Sequence, residues 1–487
     1  MSSDLICVKF GGWSLQNSEF TEKSIDLILQ EPDRKVVVVS GPKGLTNLYI
    51  QSAKERILNG SVNEETYRKI DDRWEELCAG LDIKDSLDKI RRSQGIILNS
   101  YDGPGDLESL KSKRFIDNVA RLGEAYEAGY IFAARLNKRG RKAVFLEPEG
   151  YIYGSDSPGD SSILPDPDKR LKSKITELID DCVVVLPGFY CYTKNGDVVT
   201  LPRGGSDTTG SHVASELDAR IYENFTNDVV RRADPDVVNG ALALKVLTYN
   251  EALELAYMGF GIFKDEAVVP CKEKLIPIHV VDTLHPERRT IILSERQPDE
   301  YDIAGVAYKK GFGSVNIRKV LRARQAHSSL TEMLLHTELG VGEEGEFPVE
   351  QIMTSVSNVS FLIPGEKFTN ETTHRLKRYL LEYFNLHEND ISIRYNISLV
   401  TIVGQYMKDR EGINCRAAGA LAASGISTSH LIQGGSEISI LYGMQETTPD
   451  STKARHGVER IYNEFFAKPV FGKFLEEQRM KLENAVK

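Results

Sequence analysis

Long apolar runs, metal-ligand spacings and phosphate-loop motifs are all missing from this sequence of 487 residues. The longest apolar stretches are strand-sized, and Met1–Lys9 lacks the positive-then-apolar layout of a signal peptide. No membrane partner is therefore expected, and the expected setting is cytoplasmic. The six cysteines (Cys7, Cys78, Cys182, Cys191, Cys271, Cys415) are scattered without a CxxC pair, the pattern of reduced thiols that pack rather than bridge. Nine histidines form no HExxH or similar spacing, so no protein-built metal site is expected. Basic residues never run longer than a pair, and the formal net charge is −10. That argues against a nucleic-acid partner or an anionic membrane surface, and an anionic substrate must be held by local donors. G-x-x-x-x-G-K-[ST] is absent, which excludes a P-loop, and no G-x-G-x-x-G follows the first strand, which weakens a dinucleotide fold.

What the sequence does have is glycine at the ends of strands. The chain is too long for one ordinary core, so two to four domains are expected. Its organising stretch is Leu201–Ser211, L-P-R-G-G-S-D-T-T-G-S. Paired glycines allow close backbone approach to a ligand, and Arg203 offers a planar fork of donors to a carboxylate or phosphate. Ser206, Asp207, Thr208 and Thr209 read as the opening of a helix whose free N–H groups favour an anion in front of it. Upstream, Leu5–Phe10 reads as a buried strand running into Gly11-Gly12-Trp13-Ser14. Its one charge, Lys9, is costly in a buried strand unless its ammonium is used. Arg34–Ser40 is a second apolar strand, feeding Gly41-Pro42-Lys43-Gly44-Leu45-Thr46-Asn47. Residues 60–140 are helical in character and contain Leu122-Gly123-Glu124-Ala125. Further strands are expected at Cys182–Leu186, before Pro187-Gly188-Phe189, and at Ile221–Phe225, before Thr226-Asn227-Asp228. Thr248 and Glu251 have capping-box spacing at the start of a helix. Strand, glycine loop and helix in alternation specify a doubly wound α/β domain.

Beyond residue 300 the texture changes to short strands and helices without glycine-loop chemistry. Val356–Ile391 and Ser398–Tyr442 look alike, which suggests paired α+β modules. Small modules with exposed sheet edges commonly pair, so a homodimer or higher homo-oligomer through this half is expected.

In this order, Lys9-Phe10-Gly11-Gly12-Trp13-Ser14, Gly44-Leu45-Thr46-Asn47, Gly123-Glu124, Pro187-Gly188-Phe189, Arg203-Gly204-Gly205-Ser206-Asp207 and Ala233-Asp234-Pro235 resemble the aspartokinase family. The resemblance covers nearly the whole chain. It implies an amino-acid-kinase sandwich with a mainly parallel sheet, followed by two ferredoxin-like ACT modules. The expected boundaries are 1–298 for the kinase domain, 299–396 and 397–470 for the modules, and 471–487 for a tail. The implied reaction is phosphorylation of the β-carboxylate of L-aspartate by ATP, with Mg²⁺ held mainly by the nucleotide. Lys9 and Asp207 take the catalytic positions. Thr46, Glu124, Phe189, Arg203 and Ser206 take the aspartate positions. Lys9, Gly11, Gly12, Ser14, Thr226, Asn227 and Asp228 take nucleotide positions. Val403, Gly404, Gly412, Ile413, Ser436 and Glu437 match effector-binding positions, with lysine or threonine as the implied effector.

The sequence departs from the family on the nucleotide side. Asn227 stands where Asp is usual, the following loop is one residue shorter, Asp236 replaces a phosphate-facing Arg, and Gly261 replaces a Lys. Arg231, Arg232 and Lys264 are the candidates to compensate. Ile317–Gly340 also lacks the glycine-bearing turn of the first module. Two alternatives stay open at this point: a nucleotide-impaired relative acting as an amino-acid-binding regulatory subunit, and a kinase for another small carboxylate.

Overall fold

The computed structural model describes residues 4–260, 265–298, 300–318, 349–355, 358–365, 368–383, 386–433, 437–448, 451–469 and 471–486. The chain divides into two compact units, the first built from Met1–Val230, Ala243–Tyr257 and Gly261–Gln297. Its strands are β1 (Ile6–Phe10), β2 (Arg34–Val39), β3 (Ala143–Phe145), β4 (Val183–Pro187), the hairpin β5 (Tyr190–Tyr192) and β6 (Val198–Thr200), β7 (Ile221–Thr226), β8 (Val246–Thr248), β9 (Ile278–Asp282) and β10 (Arg289–Leu293). The main sheet has the order β3-β4-β2-β1-β7-β9-β10-β8. Every neighbouring pair is parallel except β9 with β10.

The helices of this unit include α1 (Ser18–Gln30), α2 (Leu45–Asn59), α3 (Glu64–Gly80), α4 (Asp85–Leu98), α5 (Leu110–Arg121), α6 (Glu127–Lys138), α7 (Arg170–Leu178), α8 (Gly205–Glu216) and α9 (Tyr249–Tyr257). Val36–Val39 are all buried, as expected of a parallel strand covered on both faces. Strand alternation then sorts the side chains of β1. Ile6, Val8 and Phe10 join a core with Ile25 of α1, Tyr49 of α2 and Phe132 of α6. Cys7 and Lys9 face the opposite side, where α8 packs on β1, β2 and β7. The expected capping box is present: Thr248 N–H donates to Glu251 Oε2 (2.9 Å) and Glu251 N–H to Thr248 Oγ1 (3.1 Å).

The second unit comprises Arg231–Leu242, Met258–Phe260 and Pro298–Lys487. Its sheet is antiparallel, in the order β12-β13-β11-β14-β16-β15, with β11 (Gly305–Arg318), β12 (Gln351–Thr354), β13 (Asn358–Pro364), β14 (Ile391–Val403), β15 (His430–Gln433) and β16 (Ser439–Gln445). The helices α10 (Asn370–Tyr383), α11 (Ile413–Ala423) and α12 (Lys453–Phe466) cover it. β11 and β14 pair from Gly305↔Val403 to Ile317↔Ile391, with irregular register between Lys309 and Ser314. Val315, Ile317 and Ile391 enter one core with Phe361 and Leu376, whereas Val306, Val400 and Ile402 enter another with Ala417 and Val458. The two modules are thus nested. The expected division at 396/397 falls inside β14, and the first half of β11 belongs to the core expected to begin a hundred residues later.

The expected kinase domain of 1–298 also gives up a segment. Ala233, Val237 and Ala241 are buried in the second unit's core, in a segment of turns where Ala233 bridges to Val306 of β11. Most of Ile317–Gly340 lies outside the described residues.

Candidate active site

Five loops meet at the carboxyl edge of the parallel sheet, where open α/β sheets place ligands. Backbone hydrogen bonds tie them together: Gly11 N–H to Phe225 O (3.1 Å), Ser40 N–H to Phe10 O (3.0 Å), Gly188 N–H to Val39 O (2.9 Å), Lys43 N–H to Gly12 O (2.9 Å) and Thr283 N–H to Thr226 O (2.9 Å). The two glycine loops touch so closely that a Cβ on Gly12 would lie 2.6 Å from Gly41 O. Ser14 Oγ sits under this edge, 3.2 Å from Phe225 O and 2.7 Å from Thr283 Oγ1.

Lys9 is the buried cation of the edge, 6% exposed. Its ammonium donates to Asp207 Oδ1 at 2.5 Å, and Asn224 Nδ2 donates to the same oxygen at 2.7 Å. The pair therefore joins β1, β7 and the first turn of α8. Asn224 was not singled out from sequence, although a buried amide in the strand I-Y-E-N-F-T is a signal of its own. The helix starts where R-G-G-S-D predicts, with Gly204 as its left-handed cap (φ 86°). Gly205 is needed because a Cβ there would lie 2.5 Å from Leu201 Cβ. Arg203 is exposed and makes no ion pair among the described residues. Ser206 is 3% exposed, and its Oγ has no hydrogen-bond partner among the described residues.

Phe189 adopts a φ of +76°, a strained conformation for a bulky residue. It is held there because its N–H donates to Thr209 Oγ1 (3.1 Å) and its carbonyl accepts from Leu201 N–H (2.7 Å). Thr46 lies in the first turn of α2. Glu124 lies in a π-turn, Leu122–Tyr126, between α5 and α6; such turns recur at functional sites.

The nucleotide positions divide. Thr226, Asn227 and Asp228 lie at the end of β7 on the same edge, where Thr226 Oγ1 reaches Asn227 Oδ1 (3.1 Å) and Asp228 Oδ1 accepts from Val229 N–H (2.8 Å). Arg231 and Arg232 belong to the second unit. Arg232 is 5% exposed and donates to the carbonyls of Ile303 (3.0 Å) and Ala304 (3.2 Å), with its guanidinium over the rings of Tyr301 and Phe466. These partners all belong to the second unit. Arg231 donates to Ala241 O (2.7 Å). Gly261 and Lys264 lie outside the described residues.

The expected effector positions gather at one end of the antiparallel sheet. Val403 pairs with Ser439, Gly404 N–H donates to Ile438 O (2.8 Å), Gly412 (φ 79°) caps the helix starting at the buried Ile413, and Glu437 is exposed. Ser436 lies outside the described residues. A cavity of about 540 Å³, lined by Lys309, Lys310, Phe312, Phe368, Tyr395 and Asn396 among others, lies elsewhere on this sheet. Seven residues along β14 separate Asn396 from Val403, ~23 Å of strand.

Burial pushes several carboxyls up. Glu127 is raised to about 8, and Asp117, which accepts from Thr200 and Gly159, to about 6. No described helix is long and apolar enough to cross a membrane.

Comparison with known proteins agrees with this architecture. The amino acid kinase family profile matches residues 4–282 and an ACT domain profile matches 400–465. Aspartokinase 3 of Bacillus subtilis is 30% identical over 471 residues, spanning 94% of this chain and 98% of its own. The crystal structure of aspartate kinase from Clostridium acetobutylicum has a TM-score of 0.73 at 27% identity, over 95% of this chain and all of that one. E. coli aspartokinase III, solved with aspartate and ADP, shares the fold at 18% identity, with a TM-score of 0.74 over 94% of this chain and 99% of that one. The chain spans about half the length of the bifunctional aspartokinase/homoserine dehydrogenases that it also matches. With the kinase profile over more than half its length and full-length likeness to aspartokinases, this chain belongs to the aspartokinases, amino acid kinases with C-terminal ACT modules.

Proposed function

We propose that the site transfers the γ-phosphoryl group of ATP to the β-carboxylate of L-aspartate, giving 4-phospho-L-aspartate and ADP for lysine, threonine and methionine synthesis. The carrying observation is the Lys9–Asp207–Asn224 cluster at the mouth of the glycine loops. A carboxylate oxygen attacks the γ-phosphorus as the bond to ADP breaks. The acceptor is already ionised at neutral pH, so no general base is needed, and catalysis reduces to positioning and charge neutralisation. Lys9 supplies the charge, with Asp207 holding its ammonium in place rather than taking a proton. The amide of Gly12 and the amino end of α8 add donors. Arg203, exposed beside that helix end, clamps the α-carboxylate. The buried, unpartnered Ser206 hydroxyl gives the substrate a further contact, and Glu124 takes the ammonium.

The donor set also suits Mg²⁺. Both contacts to Asp207 fall on Oδ1, leaving Oδ2 as a single carboxylate oxygen for an ion otherwise held by phosphates and water. When bound, the ion neutralises charge on the phosphates.

Feedback by lysine or threonine through the ACT modules, a cytoplasmic setting and a homodimer through the edge strands β12 or β15 complete the proposal. An effector acts by binding one of two states more tightly than the other. The test is trapping of the acyl phosphate as hydroxamate with Mg·ATP and aspartate, with and without each effector. Aspartate-dependent product abolished by Lys9→Ala supports the reading; its absence from the wild-type protein overturns it. Sedimentation that finds only monomer overturns the homodimer.

A further inference from the structure

Four fully buried polar side chains knot together beside the aspartate positions, and the reaction just described makes no use of them. Tyr49 O–H donates to Glu127 Oε2 at 2.5 Å. The indole N–H of Trp74 donates to the Tyr49 oxygen at 2.9 Å and the Gln94 amide does so at 2.5 Å. Gln94 also reaches Glu127 Oε2 at 3.4 Å, while Glu127 Oε1 has no partner among the described residues. All this sits inside the apolar helical layer, with Cys78, Val119 and Phe132 among its neighbours in the core. A buried carboxyl with an unmet oxygen is unfavourable there, and an apolar side chain of similar size would avoid the penalty.

Placement supplies what packing does not. Tyr49 lies one turn into α2 from Thr46, and Glu127 lies three residues beyond Glu124 at the start of α6. The π-turn carrying Glu124 is pressed onto the same ring: a Cβ on Gly123 would lie 2.0 Å from Tyr49 Cδ2. One hydrogen bond therefore ties α2, which carries Thr46, to the start of α6, which follows directly on the π-turn carrying Glu124. The bond is local to those elements and does not involve the glycine loops of the nucleotide side.

We propose that Tyr49 and Glu127 are positioning residues for the amino-acid acceptor, fixing the first turn of α2 against the π-turn and so setting the spacing of Thr46 and Glu124. The inference rests on the aspartokinase reading. Tyr49→Phe keeps the ring and its contact with Gly123 but removes the bond. The expected result is a rise of about tenfold in KM for aspartate with KM for ATP within about twofold. Glu127→Gln, which can still accept from Tyr49, is expected to stay within about twofold of wild type. Glu127→Leu provides a second, apolar break if Tyr49→Phe does not fold, with the same split expected. Folded break variants with unchanged aspartate KM overturn the inference, as do equal rises for both substrates, which a merely structural knot would produce. If the wild-type protein forms no aspartyl hydroxamate, the kinase reading falls by itself. Calorimetric titration with aspartate then decides the inference separately: weaker binding in Tyr49→Phe supports it, and unchanged binding overturns it.

Discussion

Lys9 and Arg232 are two buried cations with opposite employment. Each is about as hidden as the other, 6% and 5% exposed, and each was expected to face phosphate. Lys9 ends a strand at the open edge of the parallel sheet, and the partners of its ammonium are one carboxylate oxygen and the helix turn that carries it. Under the proposed function its remaining donors serve the transferring phosphoryl group. Arg232 lies among the carbonyls of Ile303 and Ala304 and two aromatic rings. A planar guanidinium suits that task, because it packs on rings while its Nη1 donates to both carbonyls. Burial of a cation therefore signals that its charge is used. Its partners say whether the use is catalytic or structural.

The largest effect that sharpens this contrast is at Lys9. Lys9→Ala should reduce kcat by about 10²–10³-fold, with a melting temperature close to wild type, as read by the hydroxamate assay and calorimetry. Arg203→Ala should follow, raising KM for aspartate by loss of a charge-assisted contact worth about 1.5–3 kcal/mol, with little change in KM for ATP. Arg232→Lys should behave in the opposite sense. It loses the fork and ring stacking, so thermal unfolding should show a loss of about 1–2 kcal/mol, while KM for ATP of the folded enzyme stays unchanged. A raised KM for ATP without a stability loss would break the contrast and return Arg232 to the nucleotide.

A pH-dependent effect concerns a buried acid with no cation partner among the described residues. Burial raises Glu127 from its ordinary value of 4.5 to about 8. Between those values the folded protein holds a proton that the unfolded chain releases. Stability from this group is complete below about pH 4.5 and is lost as pH rises to about 8, at no more than about 1.4 kcal/mol per pH unit. Glu127→Gln should flatten that decline, as seen in melting temperatures from pH 5 to 8.5. An unchanged slope would place the loss on other groups.

Much of the catalytic edge was legible because its constraints are local. Gly12 and Gly205 are glycine because a Cβ would collide with Gly41 O or Leu201 Cβ, and such collisions leave glycine pairs at strand ends. Lys9 stood out as a charge in an apolar strand. Thr248 and Glu251 announced their cap by spacing. By contrast, Asn224 was passed over, and Glu127 reads by itself as an ordinary surface residue of a helix. Its partners Tyr49, Trp74 and Gln94 are 78, 53 and 33 positions away, and nothing local marks them.

The sequence by itself determined the order of strands, glycine loops and helices, and hence the family and the chemistry at the sheet edge. Short-range sterics and side-chain periodicity are sufficient for that. Only the tertiary structure decided that β11 and β14 each serve two cores, that residues 231–242 join the second unit, and that Arg232 binds carbonyls there. Those outcomes depend on which distant groups compete for the same strand, the same apolar surface or the same charge, and that competition is resolved only when the chain has packed.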